Sequence, residues 1–220
     1  MGPDSNGKRR AKIETVRGAT GFPSAAERLR LLQLLARSPA DAARLLLGTV
    51  IVRRQGRDVR AARIVETEAY LGEDDPAAHA FRGRTARTAP LWGPPGTIYV
   101  YFIYGMYYCL NVTVDRAGTA GCVLIRAAEP VAGLAPGAGT GPGRLCRALG
   151  IDTALSGAHL FDPSHALYLR EGVAPRRIGV TTRVGIRLAA DWPLRFFDAD
   201  SAAVSIHRAH VTYSRAAARR

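Results

Sequence analysis

Outside its first residues, the sequence contains no lysine. The only lysines are Lys8 and Lys12, although lysine and arginine together number 31 against 18 aspartates and glutamates. Arginine stays protonated and does not form Schiff bases. Because the rest of the chain has arginine and no lysine, it contains no lysine amine that could act as a nucleophile. The net charge of +13 favours a polyanionic partner, most simply nucleic acid. A basic surface without a binding role stays the alternative at this point.

Cysteines and long apolar runs are also scarce. Cys109, Cys122 and Cys146 show neither paired spacing nor a nearby histidine cluster, so neither a structural zinc nor an iron–sulfur cluster is expected. Three scattered thiols predict reduced side chains. The sequence has no apolar run that could cross a bilayer and no signal-peptide pattern. We therefore expect a cytoplasmic, nucleoid-associated protein with no metal, no other cofactor and no membrane partner.

The composition predicts one domain preceded by a tail. Residues 1–22 are rich in glycine, serine and basic residues and have no periodic apolar pattern. We expect a flexible basic tail there that adds non-specific affinity for DNA; a solubilising or cloning remnant is the alternative. Residues 23–220 are long enough for a single domain with its own buried core.

Turn residues and β-branched runs predict a sheet-rich domain. Ser38 followed by Pro39 is typical of a helix start, and Gly48 of its end; a short helix is expected at 144–149. The predicted strands are 49–54, 59–69, 97–104, 107–114 and 122–127. Short turns between consecutive strands favour an antiparallel meander. The predicted class is α+β, a single domain with a curved, mostly antiparallel sheet flanked by helices.

The second predicted strand carries two carboxylates and an aromatic residue at alternating positions. Glu66, Glu68 and Tyr70 share one face if this strand is regular, which is unusual in so basic a protein. For Glu66 we favour a solvated sheet face with Arg63 as its ion-pair partner. For Glu68, next to the aromatic ring, we favour a chemical role.

A block of six aromatic residues follows within ten positions. Its members are Tyr99, Tyr101, Phe102, Tyr104, Tyr107 and Tyr108. Neighbouring strand residues face opposite sides, so some of these rings belong to the core. Tyr104 precedes Gly105 at a predicted hairpin tip, where a core ring has little to pack against. An aromatic residue there on a basic protein fits a wedge inserted between base pairs.

Six segments, found in one order over roughly residues 40 to 200, resemble the alkyladenine (3-methyladenine) DNA glycosylase family. They are 62–72 (ARIVETEAYLG), 75–79 (DPAAH), 93–96 (GPPG), 99–111 (YVYFIYGMYYCLN), 122–127 (CVLIRA) and 183–186 (RVGI). The resemblance implies a base-excision repair enzyme that flips an alkylated or deaminated purine out of duplex DNA and hydrolyses its N-glycosidic bond. It leaves open whether the lesion is 3-methyladenine, 7-methylguanine, hypoxanthine or ethenoadenine.

The resemblance implies a catalytic role for three residues. Glu68 is expected to be the general base that positions and deprotonates the attacking water. Arg126 and the backbone carbonyl of Val184 are expected to hold the same water. For Arg126 the alternative is a buried ion pair with an acid of a neighbouring strand.

The resemblance also implies residues that bind the flipped base. Tyr70 and His79 are expected to grip its two faces, with Tyr101 at its edge, although His79 could instead cap a loop. Tyr104 is expected to fill the gap in the duplex. Asn111 is expected to clash with the exocyclic amino group of normal guanine.

The lack of lysine in the folded region predicts a monofunctional hydrolase, which leaves an abasic site without nicking the strand. We expect a monomer that acts on double-stranded DNA containing damaged purines. The main alternative is a non-catalytic duplex nucleic-acid-binding protein that uses the basic surface and the aromatic block. A second is an acyl-transfer or nucleoside-hydrolysing enzyme on a related scaffold.

Overall fold

The computed structural model describes residues 20–205 and 212–215. Residues 1–19 of the predicted tail lie outside this range. Among the described residues, three α-helices flank one large sheet. None of the helices in these ranges is long and apolar enough to cross a membrane.

Side chains at the helix ends account for where the helices begin. Helix α1 (Ala25–Leu35) and helix α2 (Pro39–Leu46) each follow a serine whose hydroxyl accepts a hydrogen bond from a backbone N–H of the first turn. The predicted start of α2 at Ser38 is confirmed. Helix α3 (Pro142–Leu149) begins two residues before the predicted position and ends at Gly150 in the left-handed conformation.

Nine strands of the described chain form one sheet, in which every pair is antiparallel. They are β1 (Val50–Gln55), β2 (Asp58–Tyr70), β3 (Ile98–Ile103), β4 (Tyr107–Thr113), β5 (Cys122–Ala132), β6 (Leu167–Arg170), β7 (Arg177–Thr181), β8 (Arg195–Asp198) and β9 (Thr212–Arg215). The order is β3-β4-β5-β2-β8-β7-β9, with β1 pairing with β2 and β6. The predicted α+β class with a curved antiparallel sheet is confirmed.

Strand β5 is the one predicted strand whose length differs clearly. We predicted its end at Ala127, but it continues to Ala132. The extension pairs with the first half of β2, where Ala62 lies opposite Pro130 and the register shifts at Ala61/Ala62. A proline tolerated beside such an irregularity explains why the local sequence suggested an earlier end.

Two apolar clusters stabilise the sheet from its two sides. The larger cluster joins the three helices to the sheet and includes Leu35, Leu46 and Leu149, which are fully buried. The smaller cluster contains five buried residues, with three aromatic rings packed against them: Ala80, Leu91, Tyr99, Ala120 and Cys122, and the rings of Tyr70, Trp92 and Tyr101. The smaller cluster therefore brings the aromatic block next to the end of β2.

Candidate active site

A cavity of about 480 Å³ opens beside the smaller apolar cluster. Its walls come from strands β2 to β5, from the loop after β2, from the start of α3 and from the segment that follows β7. Apart from Glu68, every predicted site residue lines it: Tyr70, His79, Tyr101, Tyr104, Asn111, Arg126 and Val184. The structure thus brings together side chains that are up to 114 positions apart in the sequence.

Aromatic rings form one wall of the cavity. The rings of His79 and Tyr101 meet edge to face, with centroids 4.5 Å apart, and Tyr99 lies 5.7 Å from Tyr101. The Tyr99 hydroxyl lies 2.8 Å from Nδ1 of His79. Burial raises the pKa of Tyr99 to about 12, so this phenol keeps its proton at neutral pH. Nδ1 of His79 therefore bonds to a side chain of β3, whereas the loop-cap alternative would need a backbone group of its own loop.

His79 is an uncharged ring in this wall. Burial lowers the pKa of His79, and the nearby charges of Arg87 and Arg82 lower it further. A neutral imidazole can therefore face a cationic base without charge repulsion. The same two arginines are exposed, as is Arg84 between them. On another side of the cavity, exposed Arg144 adds positive charge at the start of α3.

Glu68 lies beneath the lining and is fully buried. Its Oε1 accepts a hydrogen bond of 2.8 Å from the backbone N–H of Val184 and lies 3.2 Å from Nη1 of Arg126. Its Oε2 accepts a hydrogen bond of 2.9 Å from the hydroxyl of Tyr70. Burial raises the pKa of Glu68, although Arg126, the Val184 N–H and the Tyr70 hydroxyl act in the opposite direction. A carboxylate with a raised pKa is suited to general-base work.

Arg126 connects two carboxylates of β2, Glu66 and Glu68. Its Nε donates a hydrogen bond of 2.8 Å to Glu66, while its Nη1 faces Glu68. Arg126 is buried yet lines the cavity. Arg126 is therefore a buried ion-pair partner of strand acids, as the alternative interpretation predicted. Because it also lines the cavity, its guanidinium is within reach of a water that contacts Glu68. The carbonyl role predicted for Val184 stays a prediction, since the hydrogen bond found there uses its N–H.

The prediction for Glu66 is wrong. We expected a solvated side chain paired with Arg63, but Glu66 is fully buried and is bonded to Arg126 and to Arg195. Arg63 instead pairs with two other carboxylates. The reason is that β2 is flanked by β5 and β8, and each of these strands brings one arginine to the carboxylate.

A second buried ion pair, between Asp75 and Arg183, was missed by sequence reasoning. Both side chains are fully buried and form two hydrogen bonds with each other, one of them 2.9 Å long. Arg183 also donates to the carbonyl of Ala69, and its guanidinium lies 4.6 Å from the centroid of the Tyr70 ring. The pair therefore holds the end of β2, the loop after it and the segment containing Val184 together.

The hairpin between β3 and β4 ends in an exposed aromatic residue. The last strand pair is Ile103 with Tyr107, so the tip consists of Tyr104, Gly105 and Met106. Tyr104 is 78% exposed and has a left-handed backbone with φ of 53°. The predicted hairpin tip is confirmed, and it places an unpacked ring at the cavity's edge.

Two small features shape other parts of the cavity wall. Gly143, in the first turn of α3, lies against the Tyr107 ring so closely that a Cβ would be 2.7 Å from a ring atom. Only glycine therefore lets α3 approach β4 this closely. Asn111 is buried, and its amide nitrogen donates to the carbonyl of Tyr99 at 3.2 Å. The side chain of Asn111 is thus held in place in the cavity wall.

The cavity contains two thiols, and the described chain shows no metal-binding cluster. Cys109 and Cys122 line the cavity as free thiols. Burial raises the pKa of both, that of Cys122 to about 12, so they stay protonated and uncharged. Within residues 20–205 and 212–215, no three His, Cys, Asp or Glu side chains are grouped to hold a metal ion.

Comparison with known proteins gives one consistent match. The sequence model of the methylpurine-DNA glycosylase family matches residues 33–202. A protein of Myxococcus xanthus is 47% identical over 176 residues, covering 77% of this chain and 90% of the relative. Proteins of Koribacter versatilis (45%) and Methanocella arvoryzae (44%) each match 77% of this chain and 89% and 92% of their own length. All three carry the name "Putative 3-methyladenine DNA glycosylase".

Proposed function

The chain belongs to the methylpurine-DNA glycosylase family and is a DNA repair glycosylase for alkylated bases; from this premise we propose how it acts. It flips an alkylated or deaminated purine out of duplex DNA into the cavity. A water activated by Glu68 then hydrolyses the N-glycosidic bond. The products are the free base and an abasic site in an unbroken strand.

One observation carries this proposal: a buried carboxylate, Glu68, lies directly under an aromatic cavity. Cleavage of a glycosidic bond passes through an oxocarbenium-like state, which a nearby carboxylate stabilises while it activates water. Tyr70, Arg126 and the segment at Val184 all contact Glu68 and all line the cavity. A water bound among them is therefore within reach of the carboxylate.

The hydrogen bonds of Glu68 indicate which of its oxygens takes the proton from water. Oε2 of Glu68 accepts a hydrogen bond from the hydroxyl of Tyr70. Oε1 accepts one from the Val184 N–H and lies next to Arg126. Oε2 accepts one hydrogen bond and has a second lone pair free, so it is the oxygen that takes the proton from water.

The aromatic wall suits a cationic leaving group. Alkylation at a ring nitrogen gives a purine with a positive charge, and each aromatic face beside it stabilises the cation by roughly 0.5 to 2 kcal/mol. Tyr70 and His79 are the proposed faces, with Tyr101 at the edge. A cationic base leaves without a proton from the enzyme, so one carboxylate is sufficient.

Other features of the cavity and its surroundings fit a duplex substrate. An enzyme that acts on a base must extrude it, which costs least for a damaged or mispaired base. Exposed Tyr104 fills the space that the base leaves, and the exposed arginines at positions 82, 84, 87 and 144 contact the phosphates. Asn111 excludes the exocyclic amino group of guanine. The protein acts as a monomer, because one cavity beside one wedge handles one lesion.

A panel of duplexes tests the proposal. Methylated DNA and duplexes with one hypoxanthine or one ethenoadenine are incubated with the protein in the presence of a chelator. Released base is measured directly, and abasic sites are measured as strand breaks after alkali. The proposal predicts base release with breaks only after alkali. If the protein binds damaged and undamaged duplexes equally well and releases no base, the non-catalytic duplex-binding alternative is supported instead.

A further inference from the structure

Glu66 is a buried carboxylate beneath the cavity that accepts four hydrogen bonds. Its Oε1 accepts from Nε of Arg126 at 2.8 Å, from Nε of Arg195 at 2.7 Å and from the hydroxyl of Ser205 at 2.9 Å. Its Oε2 accepts from the backbone N–H of Ser205 at 2.6 Å. A fully buried carboxylate with four donors is fixed in position, and Glu66 does not line the cavity itself.

The two carboxylates bind different parts of the Arg126 guanidinium. Glu66 holds its Nε, and Nη1 is directed to Glu68 at 3.2 Å. The guanidinium is planar and its donors have a fixed geometry. Fixing Nε therefore also restricts where Nη1 points, and Arg126 faces both Glu68 and the cavity.

We propose that Glu66 is a positioning residue, which acts through Arg126 on the general base Glu68. Arg195 and Ser205 anchor Glu66, Glu66 anchors Arg126, and Arg126 presents Nη1 to Glu68 and to the attacking water. The inference rests on the proposed function, since it assigns Glu66 a part in the work of Glu68.

The charges of this network explain what the loss of Glu66 does. Glu66 and Glu68 are balanced by Arg126 and Arg195, and all four side chains are buried. Without Glu66, two guanidinium charges face one carboxylate. The negative charge of Glu66 raises the pKa of Glu68, so the loss of that charge makes the ionisation of Glu68 easier even where Arg126 is less well placed. The pKa of Glu68 falls, and a less basic carboxylate is a poorer general base.

Other groups near Glu68 are unchanged by this substitution. One group comes from each remaining element packed around the carboxylate: Tyr70 on β2, Tyr101 on β3, Cys109 on β4 and the Val184 N–H after β7. Burial raises the pKa of Tyr70, Tyr101 and Cys109, so all three stay neutral. The acid limb is the low-pH side of the pH–rate profile, where the rate falls as Glu68 becomes protonated. A shift in this limb therefore reports on the charges of Glu66, Arg126 and Glu68.

The test compares Glu66→Gln with wild type in single-turnover base release across pH, using one lesion duplex. Glutamine keeps the shape of glutamate and removes its charge. We expect the plateau rate to fall roughly 10- to 100-fold, as misplaced catalytic groups do. The acid limb moves to lower pH, and the Kd for lesion duplex stays within about threefold of wild type. Ser205→Ala removes one of the four donors to Glu66 and the hydroxyl that accepts from Nη2 of Arg126 at 3.4 Å, but it leaves the charge of Glu66. It is expected to give a smaller fall in the plateau rate, which covers a Glu66→Gln protein that does not fold.

Glu27→Gln is the matched control. Glu27 is also a buried carboxylate bonded to an arginine, Arg170, and to a backbone N–H, but it lies in α1 and does not line the cavity. It is expected to leave the acid limb in place.

If Glu66→Gln lowers the rate with the acid limb unmoved, or leaves the rate unchanged, Glu66 is only structural and the inference is overturned. If wild type releases no base from any lesion, the proposed function itself fails, and Glu66 has no general base to position.

Discussion

The hydroxyl of Tyr70 donates a 2.9 Å hydrogen bond to the carboxylate of Glu68, two positions earlier on the same strand. The residue proposed to grip the base and the residue proposed to activate water are thus directly connected. Under the proposed function, the oxygen that bonds to Tyr70 is also the one that takes the proton from water. We therefore expect contact of a base with Tyr70 and activation of water by Glu68 to be coupled.

This connection predicts different results for two substitutions of Tyr70. Tyr70→Phe keeps the ring and removes the hydroxyl that stabilises ionised Glu68. The pKa of Glu68 therefore rises, and the acid limb of single-turnover base release moves to higher pH, while the plateau rate stays within a few-fold of wild type. Tyr70→Ala also removes the ring and should lose most of the activity at every pH. An acid limb that Tyr70→Phe leaves in place would argue against Glu68 as the titrating base.

Tyr104 is expected to contribute to catalysis only when the base has to leave a duplex. Stacking of a base on an aromatic side chain contributes about 1–3 kcal/mol, so Tyr104→Ala should slow release from duplex DNA on the order of tenfold or more. Release from a single-stranded lesion should change little, because no gap has to be filled. Leu29→Ala is the control, since Leu29 is also a large exposed apolar side chain but lies in α1. Equal losses on both substrates would contradict a wedge role.

Asn111 is expected to protect normal guanine. Its side chain is held by the carbonyl of Tyr99, so it cannot swing away from an exocyclic amino group. Asn111→Ser shortens the side chain and should raise release of undamaged guanine roughly tenfold, the usual effect of one steric contact in a binding site. Release of 3-methyladenine, measured on the same protein, should stay within a few-fold. A fall in both rates would show that Asn111 only supports the wall.

The ion pair between Asp75 and Arg183 predicts a large effect on stability. Asp75→Asn leaves a buried guanidinium without its counter-charge, which costs about 3–5 kcal/mol of the free energy of unfolding. Urea denaturation followed by circular dichroism measures the loss. The control is Asp200→Asn, which removes a largely exposed ion pair with Arg177 and should cost about 1 kcal/mol or less. Similar losses for the two variants would mean that the buried pair does not stabilise the loop.

The strands were predictable because their signals are local. β-Branched and aromatic runs bounded by glycine and polar turns indicate β1 to β4 almost to the residue, and the hairpin tip at Tyr104 follows from Gly105. The end of β5 was not predictable in this way, since it depends on pairing with the irregular first half of β2.

Only those residues of the site that lie within the recognised sequence motifs could be predicted. The resemblance indicated which residues line the cavity, but the environment of Glu66 depends on Arg126 and Arg195 from two strands that flank β2. Asp75 and Arg183 are 108 positions apart, and no periodicity connects them. Buried ion pairs of this kind arise from tertiary contacts, which a local pattern does not contain.

Glu68→Gln in single-turnover base release is the most direct test of the central claim. Glutamine fits the same space and can still bond to Val184 and Arg126, so the protein should fold and bind lesion duplex with a Kd close to that of wild type. The account predicts that base release falls by at least roughly 100-fold, the lower range of what a positioned general base contributes. Release at a rate near that of wild type, by a folded and DNA-binding Glu68→Gln protein, would contradict it.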